Sequence, residues 1–173
     1  IAVFRVSERI AMFMQLPIVF SNILLSSQLR KLIEKGNTKE ISSLMKSYAR
    51  ISCMLVSITL FVFFIFGSKF LSVVFGVTYA NSSFLPAIII SSGYLFSSIF
   101  GNAGMLLTMW NQEWSNFAIQ LLAFLCLLIV GTTLGLKSGA IGVSIGIASA
   151  SVLGAVLAFY VALVKRRINC AIY

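Results

Sequence analysis

Aspartate and histidine are missing from this 173-residue sequence, and acid is scarce: the only side-chain carboxylates are Glu8, Glu34, Glu40 and Glu113. Chemistry that needs paired carboxylates, an imidazole base or a metal cluster has almost nothing to work with here. The four glutamates do not pair at useful spacing, and no glycine-rich phosphate loop of the P-loop or dinucleotide type occurs. The expectation is a protein that is not an enzyme, with no catalytic residue, no metal site and no cofactor. Cys53, Cys126 and Cys170 show no CxxC or Cys/His spacing, so they imply neither a disulfide nor a metal. Charge as a whole is rare, at 10% of residues against about 25% in an ordinary soluble domain. With 60% hydrophobic residues, the composition argues against a water-soluble fold. The opening residues also lack a basic leader followed by an apolar core and a small-residue cleavage site, and Ile1 stands where an initiator methionine would. The expectation is a piece of a longer protein.

What is present is a series of apolar runs, at about 3–28, 50–75, 84–109, 116–136 and 139–164. Each is long enough to cross a hydrocarbon core of about 30 Å at 1.5 Å of rise per residue. The predicted fold is therefore an all-α polytopic membrane bundle of about five spans over residues 1–173. Pro17 falls in the middle of the first run, where it removes a ladder donor and crowds the preceding turn, so a kink is expected there.

The net charge of +9 is not gathered as a nucleic-acid footprint. It sits between the runs, above all in the segment 30–50, which holds Arg30, Lys31, Lys35, Lys39, Lys46 and Arg50 against Glu34 and Glu40. Basic loops stay on the cytoplasmic side. Asn37 and Glu40 have capping-box spacing, and Ile41, Leu44, Met45 and Tyr48 recur at helical intervals, which predicts an interfacial helix leading into the second span. Alternation then places the uncharged 75–83 turn outside, the Trp110–Trp114 loop inside, the Lys137–Gly139 turn outside, and the basic tail 165–173 in the cytoplasm. The N-terminal end of the first span faces outside.

Polar and small residues inside the spans are the remaining signals. Gly142, Gly146, Ala150, Gly154, Ala158 and Ala162 form a ridge with almost no side chain, suited to close helix packing or to a sliding surface. Ser91, Tyr94, Ser98 and Asn102 share one face of the third span, which suits either interhelical hydrogen bonding or the lining of a cavity. Arg5, Glu8 and Arg9 are neighbours on one helix face. Within the membrane, Arg5 and Arg9 could hold a diphosphate by charge-assisted hydrogen bonds; at its edge they would snorkel to the headgroups, as Lys69 and Lys137 are expected to do.

Particular stretches carry a resemblance. Phe4-Arg5-Val6-Ser7-Glu8-Arg9-Ile10, Leu16-Pro17-Ile18, Leu29-Arg30-Lys31-Leu32 and Gly36-Asn37 resemble the second half of polysaccharide flippases. The likeness continues through Phe75-Gly76-Val77-Thr78-Tyr79-Ala80, Leu85-Pro86, Gly101-Asn102-Ala103-Gly104-Met105-Leu106-Leu107 and Leu134-Gly135-Leu136-Lys137-Ser138-Gly139-Ala140-Ile141-Gly142. That group, which includes the O-antigen (Wzx-type) flippases, belongs to the multidrug, oligosaccharidyl-lipid and polysaccharide exporter superfamily. The resemblance implies twelve or fourteen helices in two lobes around a central cationic cavity. It implies movement of undecaprenyl-diphosphate-linked oligosaccharide across a bacterial inner membrane for O-antigen or other surface polysaccharide synthesis. By that comparison the chain is the last five helices of the second lobe, and the helix before Ile1 is absent. The partners expected are the lipid-linked oligosaccharide, the bilayer and other glycan-assembly proteins. The expected substrate contacts are Arg5, Arg9, Ser98 and Asn102. A drug or cation exporter of the same superfamily, or a non-transporting scaffold of a glycan-assembly complex, are the alternatives.

Overall fold

A backbone that crosses hydrocarbon finds no water to bond, so each crossing must close its hydrogen bonds internally, and the apolar runs fold as helices. The computed structural model describes residues 2–35 and 38–166. Its elements are α1 (Ala2–Lys35), α2 (Thr38–Phe75), α3 (Val77–Ile99), α4 (Ala103–Met109), α5 (Glu113–Ser138) and α6 (Ala140–Arg166). All but α4 are long and apolar enough to span a membrane, which makes the chain an all-α, multi-pass membrane protein. The expected capping residue Asn37 lies outside the described residues, as do Cys170 and the tail from Arg167 onward.

Three expected boundaries move. The polar segment 30–50 is not a loop with a separate interfacial helix. Instead, α1 continues to Lys35 and α2 is a single helix from Thr38. The reason is burial: Leu29, Ile41 and Met45 are almost wholly enclosed, packed with Leu106 and Leu107 of α4 and Ala162 of α6. The 75–83 turn is also largely helical, since only Gly76, at φ 87°, separates α2 from α3. The third apolar run, by contrast, is broken between Ile99 and Ala103. Pro17 sits within an unbroken α1.

The exposed surface changes character along α1 and α2. In α2 the outward residues are Lys39, Glu40, Ser43, Ser47 and Arg50, and then Ile51, Met54, Leu55, Ile58, Phe61 and onward to Val74. In α1 the exposed apolar series ends at Leu24, and Ser27, Gln28, Arg30, Lys31 and Glu34 follow. Below that boundary the outside is greasy, as lipid requires; above it the arrangement is that of a soluble protein, with apolar residues inside and charge outside. At 1.5 Å per residue, α2 runs about 57 Å, so its first dozen residues project past the hydrocarbon alongside the end of α1.

Helix α3 occupies the centre, packed against α1, α2 and α6, and α6 in turn packs against α4 and α5. The ridge of small residues on α6 serves this packing. A Cβ on Gly146 would lie 2.6 Å from the Cα of Gly131, one on Gly142 would overlap the Leu134 carbonyl, and one on Gly154 would touch the Ala123 methyl at 3.5 Å. Backbones that approach this closely gain dispersion contacts that lipid cannot supply. One core lies at the end carrying the charged hairpin; a second, around Ile10, Met14, Phe63, Leu71, Ala80 and Ala87, lies toward the other end.

Candidate functional site

The serines of α3 are individually quiet. Ser91 donates to the Ala87 carbonyl, Ser92 to Ile89, Ser97 to Tyr94 and Ser98 to Leu95, at 2.7–2.8 Å. Back-bonding of this kind spends the hydroxyl proton on the helix itself and hides a polar group in an apolar setting. Helix α3 then ends in a tight turn, with the Phe100 N–H on the Ser97 carbonyl at 3.2 Å and the Gly101 N–H on Ser98 at 3.1 Å. Gly101 takes φ 69°, a left-handed conformation that glycine adopts without a Cβ penalty. The ladder resumes when the N–H groups of Met105 and Leu106 both donate to the Asn102 carbonyl. The Phe100 ring rests on Phe159 of α6, with centroids 5.9 Å apart, and holds the break against the neighbouring helix.

Irregular backbone between packed helices needs protein or water to meet its freed polar groups. A cavity of about 220 Å³ lies at this point. Its wall comes from Gln15 and Ile18 of α1, Tyr94, Ser97 and Ser98 of α3, Gly101, Asn102 and Gly104 at the break, Gln120 of α5, and Ser151, Gly154, Ala155 and Ala158 of α6. A single water needs only about 15 Å³, so the space holds several. The Ser151 hydroxyl donates to the Ala148 carbonyl at 2.8 Å, repeating on α6 the back-bonding of α3. The amides of Gln15, Asn102 and Gln120 form no hydrogen bond to protein among the described residues. Among the described residues, no charged side chain lines this cavity.

A larger apolar cleft of about 670 Å³ is lined by three of these helices, α1, α5 and α6, nearer the N-terminal end of α1. Phe4 and Glu8 form its α1 wall, Leu128, Gly131, Thr132 and Leu136 are among its α5 residues, and Val143 and Ile147 belong to α6. Along α1 the lining runs Phe4, Glu8, Gln15, Ile18, and along α6 it runs Val143, Ile147, Ser151, Gly154 and Ala158. These spacings of three, four or seven keep to one helix face, so the apolar cleft and the polar cavity follow one another along a shared wall.

The sequence-predicted residues separate into two groups. Ser98 and Asn102 line the polar cavity together. Arg5 and Arg9 are exposed on α1, on the same outward stripe as Met12, Phe13 and Leu16, and do not line it. Glu8 turns away from them into the apolar cleft. Gln15, Gln120 and Ser151 were not singled out by the sequence reading. A lone amide within an apolar run is a signal of its own, because such a group at membrane depth faces protein or water.

Comparison with protein families, with characterised proteins and with solved structures gave no match to this chain.

Proposed function

We propose that this chain is the second-lobe bundle of a flippase that moves undecaprenyl-diphosphate-linked oligosaccharide across the bacterial inner membrane for surface polysaccharide synthesis. Its basic hairpin and C-terminus lie in the cytoplasm in this reading, and other glycan-assembly proteins supply and use the substrate. The resemblance of its motifs to polysaccharide flippases supports the reading. The observation that carries it is the uncharged polar cavity at the helix break after Ile99, because a bundle that serves only as a scaffold has little use for amides left unpaired, among the described residues, in an interhelical cavity. No bond is made or broken in such a process. The test is reconstitution of the protein that contains this chain into vesicles bearing a fluorescent polyprenyl-diphosphate sugar in one leaflet. Transfer to the other leaflet above the protein-free rate is expected, and transfer at the protein-free rate would overturn the reading.

One feature favours export of a lipophilic cation by the same superfamily instead. The partly buried Glu8 carboxylate stands in the wall of the apolar cleft, where it would attract a cation carrying an apolar body. Drug efflux lost on Glu8→Gln, with glycan transfer unaffected, would select that function.

A further inference from the structure

We infer that the cavity at the helix break receives an uncharged, hydroxyl-bearing sugar ring of the lipid-linked glycan and excludes its diphosphate. This rests on the flippase reading above. Ser97, Ser98 and Ser151 have spent their protons on their own helices, so each presents only an acceptor oxygen to the cavity. Gln15, Asn102 and Gln120 each offer an amide with both a donor and an acceptor, and Tyr94 in the same wall carries a phenol that can do either. A phosphate oxygen only accepts, so it would face the three serine oxygens with nothing to share. It would also leave water for a site without a cation, and an unpaired charge taken out of water is strongly disfavoured. A sugar hydroxyl both donates and accepts, so it can satisfy the serine oxygens and the amides in the same position. Arginine, the residue suited to bidentate phosphate binding, is found outside this wall. The diphosphate and the sugar are therefore held at different places, and the cavity reads the sugar.

The test uses two probes with the same tail, octyl glucoside and octyl phosphate, each below its micellar concentration. The full chain, with Cys53, Cys126 and Cys170 changed to serine and Ala155→Cys as a reporter, is reconstituted in phosphatidylcholine nanodiscs, and the rate of maleimide labelling at position 155 is followed. Octyl glucoside should slow labelling at least fivefold, and octyl phosphate at the same concentration should not. Asn102→Leu with Gln120→Leu should raise the half-protecting glucoside concentration by about tenfold or more, the effect of losing two modest hydrogen bonds. Gln120→Lys provides a gain that misfolding cannot imitate, since it should make octyl phosphate protective. Equal protection by the phosphate, unchanged protection in the leucine variant, or protection by sodium ion in place of the glucoside would overturn the inference. The vesicle assay keeps the two readings apart. Glucoside protection without transfer removes the flippase function and leaves the sugar site; transfer without glucoside protection does the reverse.

Discussion

Gly93 of α3 lies so close to Ala148 of α6 that a Cβ on it would stand 2.6 Å from the Ala148 Cα and 3.0 Å from the Ser151 hydroxyl oxygen. Ser151 belongs to the polar cavity, so this close approach of α3 and α6 adjoins the site. Gly93→Ala should therefore force the helices apart and lower stability by about 1–3 kcal/mol, the usual cost of overpacking. Thermal unfolding in detergent would measure it, and a wild-type midpoint would show that the helices part freely at this point.

The break between α3 and α4 depends on Gly101. Its φ of 69° disfavours a side chain by about 1–2 kcal/mol. Gly101→Ala should lose about that much stability, and Gly101→Asn less, because asparagine tolerates the left-handed region. If the alanine variant instead proved more stable than the parent, a continuous helix through residues 100–102 would be the better description.

Thiol labelling can test the cavity in the membrane itself. In a background without native cysteines, Asn102→Cys should react with a small water-soluble maleimide, and Ser98→Cys, deeper and 4% exposed, should react more slowly. Absence of reaction at both positions under every condition would indicate a dry, packed interface and would favour a scaffold.

Arg5 and Arg9 remain the candidates for the diphosphate. Arg5→Gln with Arg9→Gln in the intact protein should abolish glycan export while membrane insertion, read by fractionation, stays normal. Both side chains are exposed, so little stability should be lost. Wild-type export by the double variant would remove them from the transport path.

The basic hairpin should set orientation. In the orientation proposed above, replacing Arg30, Lys31, Lys39, Lys46 and Arg50 by glutamine should weaken the retention of this end in the cytoplasm. A reporter fused after Tyr173 should then appear on both sides of the membrane, where the parent shows one. An unmoved reporter would mean that other parts of the chain fix the topology.

Much of this architecture was legible in the sequence, because long apolar runs admit only helices in lipid. The break at residues 100–102 was not. The residues on both sides of it are apolar or small, and an apolar run reads the same whether or not its ladder is continuous. Gly101 and Asn102 fall within a family-like motif, but glycine is compatible with either sign of φ, and the motif does not say that Gly101 takes φ 69° here. Segment 30–50 misled in the opposite sense. Its charges suggested a loop, whereas Leu29, Ile41 and Met45 bury inward and keep both helices going. Of the site, Ser98 and Asn102 were readable from one helix face. Gln15 and Gln120 lie on helices far apart in sequence, and only the packing of α1 on α3, α3 on α6 and α6 on α5 brings them to the same cavity.

The sharp change of surface at Arg50 and Ile51 also acts as a depth gauge. Sinking the bundle by a single turn would draw Arg50 toward hydrocarbon, where a charge at full depth costs about 2.5–3.5 kcal/mol. Lifting it would bring Ile51, Met54 and Leu55 into water. Both directions are uphill, so piston-like travel along the membrane normal is resisted. The movements left to this bundle are tilt and rotation about an axis that keeps residue 50 at the interface.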